Sequence, residues 1–429
     1  MMKFLLSSTA AAAFVALSAC TTPIGETPSA PVAEAVEPAV AEAIDPRVIH
    51  ERLVVMDTHL DTPSLLVQPG FDITNRYDVA LHYSQVDLPR MLEGDVDGGY
   101  WVIYTPQGPL TEEAYAGALE SAIKRAEAIQ NMVASHPDEF ELALNSEDAE
   151  RIEAAGKRIV YVSMENAYPL GEDLSRLEMF YDMGLRMVGP LHFANNQLGD
   201  SSTDSEGTVW EGLSPLGKEM VAEANRLGII LDGSHAHDLV FDDLIELSAT
   251  PIILSHTGAK AIYDHPRNID DERLKTLAAN GGVIHMNAFG GYLKKLEQDP
   301  ARGAAMGKLF AELQSAPITT VEERDAFLAK RRAIDAEFPP AMADFEDYME
   351  HFLYVLELIG PDHVGVGADW DGGGGVEGMN DISAFPRITE RLLAEGYTEE
   401  DLAKIWGGNV KRLLKAAEDY KASLASEEG

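Results

Sequence analysis

Leu53-Val54-Val55-Met56-Asp57-Thr58-His59-Leu60-Asp61 is an apolar run that stops on a histidine and an aspartate. An unbroken apolar run of this kind suits a strand buried on both faces, as in a parallel sheet covered by helices. Short apolar runs return at 100–104, 159–163, 187–191, 229–231, 252–254, 283–286 and 364–366, the first being 53–56. Amphipathic stretches over 112–135, 175–183, 215–227 and 238–247 predict helices between them, with Ser214 as N-cap and Pro215 in the first turn of the third. About eight strand-helix alternations predict a TIM-type (β/α)8 barrel rather than an open sheet. Neither a GxGxxG nor a P-loop motif favours a nucleotide-binding fold.

Several predicted strands end in a residue able to bind metal or move a proton. In an extended segment residues i and i+2 share a face, so His59 and Asp61 can reach one cation together. The third run leads into Glu165 and the fourth into His192; the fifth and sixth lead into His235 and His256, and the eighth into Asp369. In such barrels the catalytic groups come from the C-terminal ends of the strands. Each signal alone is weak, because a buried histidine is more often hydrogen-bonded than metal-bound. Together they put imidazoles and carboxylates in one water-poor mouth. Without cations those carboxylates would suffer desolvation and mutual repulsion, and a divalent metal removes both.

Neighbouring residues take plainer readings. His237 opens the helix after His235 and is expected at the surface, while His265 and Pro266 stiffen the loop that presents Arg267. Gly372 to Gly375 lack a phosphate-binding partner and read as a flexible loop near the site; Trp370 is expected to pack, and Asp371 has no assigned role.

The ends of the chain carry different information. Lys3, an apolar run over 4–17 and Leu17-Ser18-Ala19-Cys20 read as a signal peptide over 1–19, too short for a membrane span of ~20 residues. Cys20, the one cysteine of the 429 residues, is the expected lipidation site. Residues 20–46, rich in Pro, Ala and Glu without an aromatic, predict an extended tether. A single domain is expected over 47–429. Its insertion, about 292–340, is helical and lies before the last strand. That insertion is a candidate lid, a subunit contact of a homodimer, or a solvated decoration. Acidic residues number 72 against 33 basic, a formal charge of −39, which argues against nucleic acid as a partner. The expected location is the periplasmic side of a bacterial membrane, with Thr21 favouring an outer-membrane lipoprotein.

From about Val48 to Leu414 the chain resembles the renal (membrane) dipeptidase family of zinc metallopeptidases, as a bacterial lipoprotein-type member. The resemblance rests on Asp57-Thr58-His59-Leu60-Asp61, Gln85-Val86-Asp87-Leu88-Pro89-Arg90, Asp232-Gly233-Ser234-His235, Ser255-His256, His265-Pro266-Arg267-Asn268, 363–372 and Gly407-Gly408-Asn409. It implies a barrel of the metal-dependent hydrolase kind with two Zn2+ per subunit, one on His59 and Asp61, the other on His235 and His256, bridged by Glu165. It further implies His192 as the oxyanion and substrate contact, Arg267 as partner of the substrate's carboxylate, and Asp369 as the proton-transferring acid/base. The implied reaction is hydrolysis of a dipeptide by a zinc-bridged hydroxide, tolerant of a D-residue at the C-terminal position. A fixed guanidinium fork on a free carboxylate favours dipeptides over long chains. Thr58, Leu60 and Asn166 stand where the family commonly has other residues; none is an implied ligand. Cobalt or manganese would suit the same donors. Two alternatives stay open: an amidohydrolase of N-acyl amino acids or other amides, and a non-catalytic solute- or metal-binding lipoprotein.

Overall fold

In the computed structural model the described residues are 44–427. The expected signal peptide, Cys20 and all but the last residues of the tether lie outside them. Asp45 caps a short helix, Pro46–His50, that begins the described fold. Among the described residues, no helix is long and apolar enough to cross a membrane.

The strands are β1 (Met56–Leu60), β2 (Gly98–Tyr104), β3 (Phe140–Leu142), β4 (Arg158–Glu165), β5 (Leu185–Val188), β6 (Ile230–Leu231), β7 (Ile253–Ala259), β8 (Asn268–Ile269), β9 (Val283–Met286) and β10 (Val364–Val366). All pair in parallel, in two arcs ordered β1-β2-β4-β5-β6 and β7-β9-β10. Single parallel bridges join the arcs into a ring, Asp232 to Ile253 on one side and Leu60 to Trp370 on the other. Eight strands therefore form the barrel, as the alternation predicted. β3 flanks β4 and β8 flanks β7, two short pairings too brief to leave a periodic signal.

The helices at Glu112–Ser135, Pro215–Leu227 and Asp238–Leu247 fall where the periodicity put them, and Ser214 Oγ accepts from Gly217 N. The first strand starts later than the apolar run suggests. Val55 is held by Asp97 instead, through Val55 N to Asp97 Oδ2 at 2.8 Å and Asp97 N to Val55 O at 2.8 Å. His59 consequently sits within β1, as Glu165 sits within β4 and His256 within β7.

Register shifts lie between Asp57 and Leu60 of β1 and between Leu254 and Thr257 of β7. Each adds one residue against the neighbouring strand, so both His59 and His256 lie in bulges, which turn a side chain out of strict alternation. Thr58 Oγ1 donates to Ser255 O (2.8 Å) and Val366 O (3.3 Å), lacing β1 to β7 and β10 across the barrel.

Between β9 and β10 lie helices Gly290–Leu293, Pro300–Ser315, Val321–Glu337 and Phe345–Ile359, of which Pro300–Ser315 and Val321–Glu337 fall within the expected insertion. Its helix 321–337 docks on the loop after β1: Arg331 lies 3.6 Å over the Tyr83 ring, Tyr83 OH donates to Asp335, and Arg324 Nη1 donates to Pro69 O at 2.7 Å.

Candidate metal centre and active site

Glu165, at the last position of β4, is the hub of the barrel mouth. Its Oε1 lies 3.0 Å from His235 Nε2, 3.3 Å from His256 Nε2 and 3.8 Å from His59 Nε2, and its Oε2 lies 3.9 Å from His192 Nε2. His59 Nε2 is 3.4 Å from Asp61 Oδ2, and the Nε2 atoms of His235 and His256 are 3.0 Å apart. All five residues of the expected ligand set are buried, none more than 7% exposed. The structure thus brings the set together, with Glu165 between the His59–Asp61 pair and the His235–His256 pair. Three overlapping donor sets converge within 4.8 Å: His59 with Glu165 and His256, Glu165 with His192 and His235, and His59 with Asp61 and Asp369.

The donor atoms fit cations. His59 Nε2, Asp61 Oδ1 and Glu165 Oε1 are shut off from solvent with no hydrogen-bond partner, although buried polar groups are nearly always satisfied. Burial pushes the Glu165 carboxyl up to about 8 and Asp369 up to about 7, against the pull of His59. Burial opposes a charge on His59, yet the nearby Glu165 and Asp61 raise it to about 10. With no metal, a proton on His59 is positive charge that this pair of carboxylates draws between them, and a divalent cation supplies more. Burial drives His235 and His256 well below the ordinary imidazole value, leaving them neutral with lone pairs free for a metal.

The groups behind the donors fix their orientation. Ser255 Oγ donates to Asp232 Oδ2 (2.5 Å) and meets His256 Nδ1 at 2.9 Å. That arrangement puts the His256 proton on Nδ1 and turns Nε2 toward Glu165. Asp232 Oδ1 also accepts from Ser234 N and Ser255 N, both 2.9 Å, so one carboxylate ties the segment after β6 to β7. Asp57 does the same for β1 and β10, accepting from His59 N at 2.7 Å and Ala368 N at 2.9 Å. His235 and Asp369 have φ of 65° and 63°, a left-handed backbone uncommon outside glycine, which here aims both side chains inward.

Around this centre lie the three residues expected to handle substrate. His192, half-buried, has Nδ1 3.4 Å from Tyr104 OH, and burial lowers its pKa to about 3. Arg267, 3% exposed, donates from Nη2 to His256 O (3.0 Å) and stacks 5.2 Å from the Tyr292 ring; its Nε has no partner. Asp369 is hydrogen-bonded to Asn287 and faces Asp61.

The turn after Asp369 is not the flexible loop its four glycines suggest. Gly372, Gly373 and Gly374 N all donate to Asp369 O, at 3.2, 3.2 and 2.7 Å. A Cβ on Gly372 would stand 2.0 Å from Asp61 Oδ2 and 2.3 Å from Asp369 Oδ1, so this glycine lets the backbone press against both carboxylates. Asp371, which the sequence left without a role, accepts from Thr62 Oγ1 (2.7 Å) and Gln85 N (2.6 Å) and anchors the loop at Gln85. His237 caps the helix 238–247, accepting from Leu239 N, and His265 Nδ1 accepts from Arg267 N at 3.2 Å. Trp370 packs in the core against Phe385. Tyr104, Asn287 and Tyr292 escaped the sequence reading because a lone Tyr or Asn at a strand end carries no spacing signal.

Residues 45–428 match the family described as membrane dipeptidase, peptidase family M19. A dipeptidase of Claviceps purpurea, tcpJ, is 30% identical over 362 residues, covering 82% of this chain and 74% of its own. The crystal structure of the probable dipeptidase PvdM from Pseudomonas aeruginosa superposes with a TM-score of 0.73 at 29% identity, over 87% of this chain and 98% of that one. A metallopeptidase from Rhodobacter sphaeroides, solved with a phosphinate mimic of the dipeptide L-Ala-D-Ala, has a TM-score of 0.67 at 26% identity, over 85% and 99%. A barrel whose mouth gathers histidines and carboxylates, matched over nearly its whole described length, makes this chain a member of the membrane dipeptidase family, M19, and hence a metallopeptidase and hydrolase.

Proposed function

We propose that the chain cleaves dipeptides at a two-zinc site, with His59 and Asp61 on one ion, His235 and His256 on the other, and Glu165 shared. The observation that carries this reading is the set of orphaned, buried donor atoms converging on Glu165. Bound there, the cations would polarise the scissile carbonyl and acidify water. Arg267 presents an unpartnered guanidinium N–H for the substrate's free carboxylate. His192, kept neutral by burial, keeps an N–H to give to the developing oxyanion. Asp369, raised to about 7 by burial, exchanges a proton near neutral pH and suits an acid/base role at the leaving amine. Acceptance of a D-residue at the C-terminal position is supported by the dipeptide mimic carried by the Rhodobacter relative. The same proposal holds the protein to the periplasmic face of a bacterial membrane through lipid on Cys20, which Cys20→Ala should release into the soluble fraction.

The test is metal analysis joined to a substrate panel of L,L and L,D dipeptides and N-acetyl amino acids. Two zincs per chain and turnover of dipeptides are expected. Turnover of N-acetyl amino acids alone would replace this reading with the amidohydrolase alternative. Asp369→Asn should keep both metals while kcat falls by roughly 10²; loss of metal in that variant would make Asp369 a ligand.

A further inference from the structure

The helix Glu112–Ser135, which follows β2, carries a cation that the centre does not use. Its buried stripe includes Ala118, Ala122, Ala126 and Ile129. Arg125 sits on the flank of that stripe, about one turn from Ala122 and Ile129. The helix packs against β2 and against the short helix Pro63–Leu66 that begins two residues after Asp61. Long helical side chains lean toward the helix N-terminus. A helix following a barrel strand has its N-terminal end on the side of the mouth. The Arg125 guanidinium therefore rises toward the mouth, where its ionisable neighbours are the Asp61 carboxylate and the neutral phenol of Tyr104.

Among the described residues the Arg125 guanidinium makes no direct ion pair, Asp61 acting on it only from beyond contact. Its Nη1 is closed off from solvent without a hydrogen-bond partner, and among the described residues no carboxylate comes within 4.0 Å of the guanidinium. Arg90 and Arg158, both buried, are answered by Asp87 at 3.1 Å and Asp97 at 3.5 Å. Arg125 has no such carboxylate in contact, and its Nη1, like Nε of Arg267, Arg90 and Arg331, is a buried donor without a partner. Arg125 and Arg267 stand on opposite walls, because β2 and β7 occupy the second and sixth places in a ring of eight strands. A dipeptide anchored by its carboxylate near β7 must send its N-terminal residue across the metal cluster toward β2.

We propose that Arg125 is a specificity-determining residue: it receives the side-chain carboxylate of an acidic N-terminal residue and selects dipeptides that begin with Glu or Asp. The inference rests on the dipeptidase reading with Arg267 on the C-terminal carboxylate.

The test compares Glu-Ala with its neutral isostere Gln-Ala on the zinc-loaded protein. Wild type should show kcat/KM at least about tenfold higher for Glu-Ala, the scale of a charge-assisted hydrogen bond. Arg125→Met, and Arg125→Gln as a second neutral variant, should bring that ratio to within about twofold of unity, and Arg125→Lys should restore part of it. Equal wild-type rates on the two peptides would overturn the assignment, and this comparison needs no variant to fold. A neutral variant that loses activity on both peptides at an unchanged ratio would overturn it too, marking Arg125 as a support of Asp61. Failure to cleave either peptide would refute the dipeptidase reading and this assignment together; cleavage without preference refutes the assignment alone.

Discussion

Gly372→Ala isolates the geometry of the site from the stability of the fold. The backbone there is not left-handed, so alanine meets no conformational penalty, and the position is exposed. The added Cβ would stand 2.0 Å from Asp61 Oδ2 and 2.3 Å from Asp369 Oδ1. To reach the 3.4 Å of an ordinary contact the two oxygens must withdraw by about 1.4 and 1.1 Å. A misplacement of about 1 Å costs on the order of 10²-fold in rate, or about 2.7 kcal/mol of transition-state stabilisation. We expect kcat/KM on a dipeptide to fall by about 10² or more, with weaker metal retention because Asp61 is an expected ligand. The midpoint of thermal unfolding of the metal-free protein should hardly move. Steady-state kinetics, metal titration and calorimetry measure the three quantities. A variant with near-normal turnover, or one that loses its fold along with its activity, would refute the view that this glycine exists to admit two carboxylates.

Three further outcomes follow from the same geometry. Asp232→Asn removes the charge behind Ser255 and His256, and metal affinity measured by chelator competition should drop about 10- to 100-fold; an unchanged affinity would show that the Ser255 relay does not orient His256. In the metal-free protein, Asp369 and Glu165 are raised to about 7 and 8, so the stability they contribute is complete below their unfolded values near 4 and is lost as pH climbs through 7 and 8. Zinc should therefore raise the melting temperature more at pH 8 than at pH 6, and an equal rise at both would contradict those shifts. Gly117→Ala lies on an exposed position of the helix 112–135 with no atom within 4 Å of the new Cβ, and should stabilise by about 1 kcal/mol in denaturant titrations; a loss of stability there would mean an unseen contact.

Much of the candidate site was legible because a barrel aligns sequence and space. Apolar runs mark strands, catalytic groups gather where strands end, and so His59, Glu165, His235 and His256 could be read from the residues at those ends. The expectation that His59 and Asp61 share a face came from simple strand alternation. The actual chain reaches their proximity through a bulge in β1, which no local pattern announces.

The sequence by itself determined the order of strands and helices, the identity of the metal-capable residues and the acidic surface, since hydrophobic periodicity and residue chemistry are local properties. Only the tertiary structure decided how closely each donor approaches Glu165 and that Asp57 and Asp232 tie neighbouring strands together. Nor could any local pattern reveal that Gly372 must lack a side chain or that Arg125 Nη1 is buried without a hydrogen-bond partner. Each of these depends on groups far apart in the chain meeting within a few ångströms, and such meetings are set by the closure of the barrel rather than by any stretch of sequence.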